Sequence, residues 1–248
     1  MKKIIILTIC IIFTAIFLTG CITLTFSPGM GLGVTGKGSP EAFTFDVNDV
    51  NEIKVELLCN IEYHYAPSAS VSFQVQPNLM EYITIKESGG VLTVRSNRSL
   101  NITGSANTPV LIVSSPSLQS VSHAGAGKFT AFDPISGNNF SLNITGAAGG
   151  SAELDVSSLL VNITGAGDIK LSGSAVNADI TTAGAGKLNA LELRTNTASV
   201  NMVGVGTVSI DCSNNLNVIA GGVGTVEYRG SPSLNITRGG IVTVRQVD

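Results

Sequence analysis

From Ala42 onward apolar and polar residues alternate with period two, as in Phe43-Thr44-Phe45-Asp46-Val47, Ile53-Lys54-Val55-Glu56-Leu57, Val71-Ser72-Phe73-Gln74-Val75, Ile83-Thr84-Ile85 and Val91-Leu92-Thr93-Val94. Because successive side chains of a strand point to opposite faces, this alternation predicts half-buried strands. No stretch after Phe26 holds a helical period beyond two turns, and the nearest candidate, Pro77 to Tyr82, is short. The expected fold class is all-β.

The second half of the chain repeats itself around small-residue glycine motifs. The copies pair Gly125 with Gly127, Gly146 with Gly149, Gly165 with Gly167, Gly184 with Gly186, Gly204 with Gly206 and Gly222 with Gly224, and a degenerate copy stands at Gly239-Gly240. Successive first glycines are 21, 19, 19, 20, 18 and 17 residues apart. A near-constant period of this length marks a solenoid. Alternating strands flank the glycines, such as Val161-Asn162-Ile163 before and Ile169-Lys170-Leu171 after one copy. Strand, glycine corner, strand and variable corner describe one coil of a parallel β-helix, with glycine where a bend or close backbone approach excludes a Cβ. One coil cannot bury its apolar face alone, so stacking stabilises it, and seven coils about 4.8 Å apart would make a rod roughly 30 Å long. The expectation is a right-handed parallel β-helix-like solenoid over 41–248, with clear repeats over 119–248 and the earlier strands capping one end.

The N-terminus has a different pattern. Met1, Lys2 and Lys3 precede an uncharged run from Ile4 to Leu18, and Leu18-Thr19-Gly20-Cys21 follows. A charged start, an apolar stretch and a small-residue cleavage site define a secretory signal. The last four residues resemble the bacterial lipobox, which implies a signal peptide over 1–20 and acyl chains on Cys21. The uncharged run reaches Phe26, so an uncleaved membrane-spanning helix is the alternative; with either anchor Lys2 and Lys3 stay inside and the remainder is exported. Residues 21–40 then form a lipidated, glycine-rich flexible tether. The protein is expected in the cell envelope, membrane-anchored and extracytoplasmic.

Composition narrows the function. Only 12% of residues are charged, Trp is absent, the formal net charge is −3, and no Lys/Arg cluster follows Lys3, which excludes a nucleic-acid partner. Of the four cysteines, Cys10 lies in the apolar signal run and Cys21 in the lipobox, leaving Cys59 and Cys212 either as a disulfide or as two separately buried thiols.

Gly-Ala-Gly-Lys at Gly125–Lys128 and Gly184–Lys187 lacks the first glycine and the following Ser or Thr of a phosphate loop: Ser122 and Thr181 hold the first position, and Phe129 and Leu188 follow the lysines. No copy extends to a dinucleotide fingerprint, and only Asp168 sits where a calcium-binding repeat needs its aspartates. His64 and His123 are the sole histidines, without metal-ligand spacing, and are expected at the surface or at strand ends. No Gly-x-Ser-x-Gly elbow occurs. Asp155, Asp168, Asp179, Glu192 and Asp211 fall at different phases of the repeat, which argues against the paired acids of a glycosidase. Asn143-Ile144-Thr145 and Asn162-Ile163-Thr164 match a glycosylation pattern but, placed just before glycine corners, suit hydrogen-bonded ladders along a stack.

Val34-Thr35-Gly36-Lys37-Gly38, Asn78-Leu79 with Ile83, Gly90-Val91-Leu92-Thr93-Val94, Pro116-Ser117-Leu118 leading into Gly125-Ala126-Gly127, and the later glycine pairs together resemble the bacterial family called putative auto-transporter adhesin, head GIN domain. The resemblance covers residues 34 to 248. It implies a β-solenoid-like domain at the cell surface or in the periplasm with an adhesive role and no catalytic residues to carry over. The second copy departs from the pattern, since Gly146-Ala147-Ala148-Gly149-Gly150 has an extra small residue. The expected function is a binding or adhesion scaffold for a glycan or protein partner, with no cofactor, no metal and no enzymatic activity. A polysaccharide-acting β-helix enzyme and a sensory ectodomain beside another membrane protein are the alternatives.

Overall fold

The computed structural model describes residues 33–248, which form a compact unit. The expected signal peptide, the expected acylation site Cys21 and most of the expected tether lie outside the described residues. Among the described residues no helix is long and apolar enough to cross a membrane.

The elements are β1 (Val34–Thr35), β2 (Glu41–Phe45), β3 (Glu52–Glu56), β4 (Asn60–Tyr65), β5 (Ser70–Val75), helix α1 (Pro77–Met80), β6 (Ile83–Ser88), β7 (Val91–Ser96), β8 (Leu100–Asn101), a 3₁₀ turn (Ser105–Asn107), β9 (Val110–Ser115), β10 (Ser120–Ala131), β11 (Ile135–Arg229) and β12 (Ser233–Gln246). The protein is nearly all-β, and Pro77 to Tyr82 supplies a single four-residue helix.

Parallel pairing dominates the second half. Val121 of β10 lies beside Leu142 of β11, and Leu216 of β11 lies beside Leu234 of β12. Strand β10 passes a corner: Ser120–His123 pairs with β3, whereas Phe129–Ala131 pairs with β4. β3 and β4 in turn lie parallel to β7 and β9. Toward the edges the pairing becomes antiparallel, with β6 antiparallel to β7, β5 antiparallel to β9 and β2 antiparallel to β5. These antiparallel strands cover edges that would otherwise expose unpaired backbone groups.

The apolar positions close a core at the repeat spacing. Val121, Leu142, Val161, Ile180, Val200 and Val218 are each at most 1% exposed. Each contributes about 1.5–3 kcal/mol of burial relative to exposure. The largest side chains, Tyr63, Phe73, Phe129 and Phe140, are also buried, and Phe129 and Phe140 stack with ring centroids 6.5 Å apart.

The end of the expected tether is not free. β1 pairs in parallel with β8, the Lys37 amide donates to Asn78 Oδ1 at 2.7 Å, and Asn78 Nδ2 donates to the Thr35 carbonyl at 2.9 Å. Gln76 Nε2 donates to the Gly38 carbonyl at 2.8 Å. Glycine content alone suggests a flexible segment, but the amide side chains before and within α1 hold residues 34–38 against the body.

Candidate functional site

The glycine motifs set how closely successive strands stack. A Cβ on Gly165 would run into the carbonyl oxygen of Gly146, and Gly165 has φ +127°, a region that side chains disfavour. The same contact links Gly125, Gly146, Gly165, Gly184, Gly204, Gly222 and Gly240 in one column, with Leu57 ahead of Gly125. The second column is Cys59, Gly127, Ala148, Gly167, Gly186, Gly206 and Gly224. Ala148 therefore replaces Gly149 as the second member of its copy. Gly149 instead pairs with Lys128, one step further along the strand. The extra small residue shifts the assignment by one position, and only the register reveals it.

Next to the second column, on the outer face after the corner, stand Asn60, Lys128, Gly149, Asp168 and Lys187. The Lys128 amide donates to Asn60 Oδ1 at 3.1 Å. Lys128, Lys170, Lys187 and Asp168 line an open groove of about 530 Å³ with Gly149 and Gly150 between them. Lys170 Nζ lies 2.9 Å from Glu192 Oε2, with both side chains more than half exposed.

A second open groove, of about 800 Å³, collects polar side chains from the variable corners. Asp155, Ser174, Arg194, Asn196, Asp211 and Ser213 line it. The Ser174 hydroxyl donates to Asp155 Oδ1 at 2.9 Å, the Thr195 hydroxyl donates to the Asp211 carbonyl at 2.6 Å, and the Ser213 hydroxyl donates to the Thr195 carbonyl at 3.1 Å. The expectation that the carboxylates stand apart thus holds only in part. Asp155 and Asp211 share this groove, Asp168 lines the lysine groove, Glu192 pairs with Lys170, and Asp179 lines neither.

Among the described residues Cys59 and Cys212 are not joined to each other. Cys59 and Cys212 are both buried free thiols. Cys59 begins the second glycine column, whereas the Cys212 carbonyl lies against Gly230 at a different corner, so the register separates them. Cys59 Sγ donates to the Asn60 carbonyl at 3.0 Å, and burial pushes its pKa up to about 12.

Neither histidine joins a metal site, and among the described residues no three His, Cys, Asp or Glu side chains gather as metal ligands. His64 stacks on the exposed ring of Phe132 with centroids 4.8 Å apart. His123 is fully buried rather than at the surface, in register with Val55 and Ile144. Its Nε2 lies 3.2 Å from the Leu57 carbonyl, its Nδ1 has no partner, and burial lowers its pKa. The asparagines form side-chain ladders: Asn162 Nδ2 donates to Asn143 Oδ1 at 2.9 Å, and Asn235 Nδ2 to Asn217 Oδ1 at 3.0 Å.

Both grooves are assembled from residues one repeat apart, which a linear reading does not bring together. The available signal was the recurrence of Lys after two glycine pairs and of Ser, Asn and Asp at the variable corners.

Among curated proteins none matches the chain. Solved structures do. A putative adhesin from Bacteroides fragilis is 22% identical, superposes with a TM-score of 0.81, and is matched over 87% of this chain and 100% of that one. A protein from Parabacteroides distasonis described as a putative lipid binding protein is 19% identical with a TM-score of 0.66, over 87% of this chain and 99% of that one. A putative adhesin from the same organism is 21% identical with a TM-score of 0.64, over 86% and 99%. At these identities the likeness shows a shared fold. Residues 49–232 match the family described as putative auto-transporter adhesin, head GIN domain, and the chain belongs to that family.

Proposed function

We propose that this protein is an exported adhesion scaffold, anchored in a membrane through acylated Cys21, that binds a glycan partner in the groove around Asp155, Arg194 and Asp211. Its repeat winds as a right-handed parallel β-helix, the hand that parallel strand-to-strand connections almost always take. Family membership supports the adhesive role. The observation that carries the glycan reading is the polar groove itself: Ser, Thr, Asn, Asp and Arg side chains line one open trough of about 800 Å³. Hydroxyls and amides of this kind pair with sugar hydroxyls, and the rigid stacked backbone holds them without large ordering cost.

Intact-mass spectrometry of membrane-extracted protein beside a Cys21→Ala variant tests the anchor. A mass starting at Cys21 with acyl chains, lost in the variant, supports it; a chain retaining Met1 overturns it. Binding of the full chain to an immobilised panel of neutral oligosaccharides tests the groove. Loss of binding in Arg194→Ala and Asn196→Ala supports the reading, and no binding, or binding that both variants retain, overturns it.

One observation favours a second reading, a polysaccharide-cleaving enzyme: Asp155 and Asp211 line the same groove. Release of reducing ends from a bound polysaccharide, abolished in both Asp155→Asn and Asp211→Asn, would establish it.

A further inference from the structure

We infer that the lysine groove is a second binding site, for a polyanionic glycan whose sugars carry carboxylate or phosphate groups. Three of the six lysines between residues 33 and 248, Lys128, Lys170 and Lys187, line this one groove of an otherwise acidic protein. Among the described residues neither Lys128 nor Lys187 takes part in a salt bridge. The bridge from Lys170 to Glu192 is exposed at both ends and is easily exchanged for another anion.

The floor explains why a ligand can approach. Gly149 and Gly150 present no side chains between the Lys128 position and those of Asp168 and Lys170, so the lysines rise around a notch. Lys128 and Lys187 belong to one column three strands apart, about 14 Å along the stack at the usual strand spacing. A single small anion cannot bridge that span, whereas a chain laid along the stack passes both ammonium groups.

The neighbouring side chains select the class of polymer. Thr130, Ser151 and Asn189 line the same groove and suit sugar hydroxyls. No aromatic side chain lines it to stack a nucleobase, and no large apolar side chain lines it to anchor a peptide. Asp168, between the lysines, is an acceptor for sugar hydroxyls.

The inference rests on the reading of the protein as a glycan-binding scaffold, and the test separates the two. The full chain in neutral detergent is titrated at low ionic strength with polygalacturonate, with phosphomannan and with uncharged dextran, alongside a Lys128→Ser/Lys170→Ser/Lys187→Ser variant and Arg194→Ala. The expected result is binding of at least one anionic polymer, weakened at least about tenfold by the triple substitution and by physiological salt and unaffected by Arg194→Ala, whereas any dextran binding is unchanged by the triple substitution. The tighter of the two anionic polymers identifies carboxylate or phosphate as the recognised group. Failure of both to bind, or binding that the triple variant retains, overturns the lysine site. Neutral-oligosaccharide binding that Arg194→Ala abolishes would then leave the proposed function standing. Exposed lysines are not part of the core, and an unchanged melting temperature of the triple variant confirms that loss of binding is not loss of fold.

Discussion

The carbonyl oxygen of Gly146 occupies the space in which a side chain on Gly165 would begin. This contact, repeated along the column, lets one turn of chain sit directly on the next at the corner. It also makes the corner the most substitution-sensitive part of the repeat.

Gly165→Ala is therefore expected to destabilise the protein by about 2–4 kcal/mol, combining an unfavourable positive φ with overpacking against backbone. Gly221→Ala, one residue before an equivalent corner but with open space at its Cβ, is expected to change stability by no more than about 0.5 kcal/mol. Denaturant midpoints of the two variants check the difference.

Buried His123 predicts a pH dependence. Its folded pKa lies below the ordinary 6.5 because burial disfavours the charged ring. As pH falls below about 6.5, the unfolded chain takes up a proton that the folded chain refuses, so stability present at neutral pH is lost in the acid range. His123→Leu is expected to remove that part of the decline, while at pH 7 the loss of the contact to the Leu57 carbonyl is offset in part by removal of an unpaired buried nitrogen. Thermal melts of both proteins from pH 7 to 5 measure it.

Cys59 and Cys212 are expected to resist alkylation in the native state and to react together on unfolding. The raised pKa of Cys59 leaves almost no thiolate at neutral pH. Native and denatured iodoacetamide labelling followed by mass spectrometry tests this, as does an unchanged melting temperature with and without reductant.

The docked segment near Lys37 gives a local prediction. Asn78→Ala removes the side chain that bonds both the Lys37 amide and the Thr35 carbonyl. Tryptic cleavage after Lys37 should accelerate severalfold while the melting temperature changes little, because opening there does not require global unfolding.

The all-β class and the recurrence of glycine pairs were legible in the residues because both follow from local rules. Alternation reports which side of a strand is buried, and a glycine recurring at a fixed interval reports a recurring steric demand. Residues close in sequence are enough to state either.

Register, by contrast, is a relation between segments about twenty residues apart, and only the folded chain decides it. It put Ala148 rather than Gly149 in line with Gly127 and Gly167, and set Cys59 and Cys212 at different corners. It carried His123 into a core position beside Ile144, and it used antiparallel β2, β5 and β6 to cover the first edges. The grooves have the same origin: Lys128, Asp168 and Lys187 meet because each turn returns the chain to the same face one strand spacing further on. The sequence by itself determined the alternation of inward and outward positions; the stacking of successive turns decided which side chains became neighbours, since that depends on the exact residue count of every turn between them.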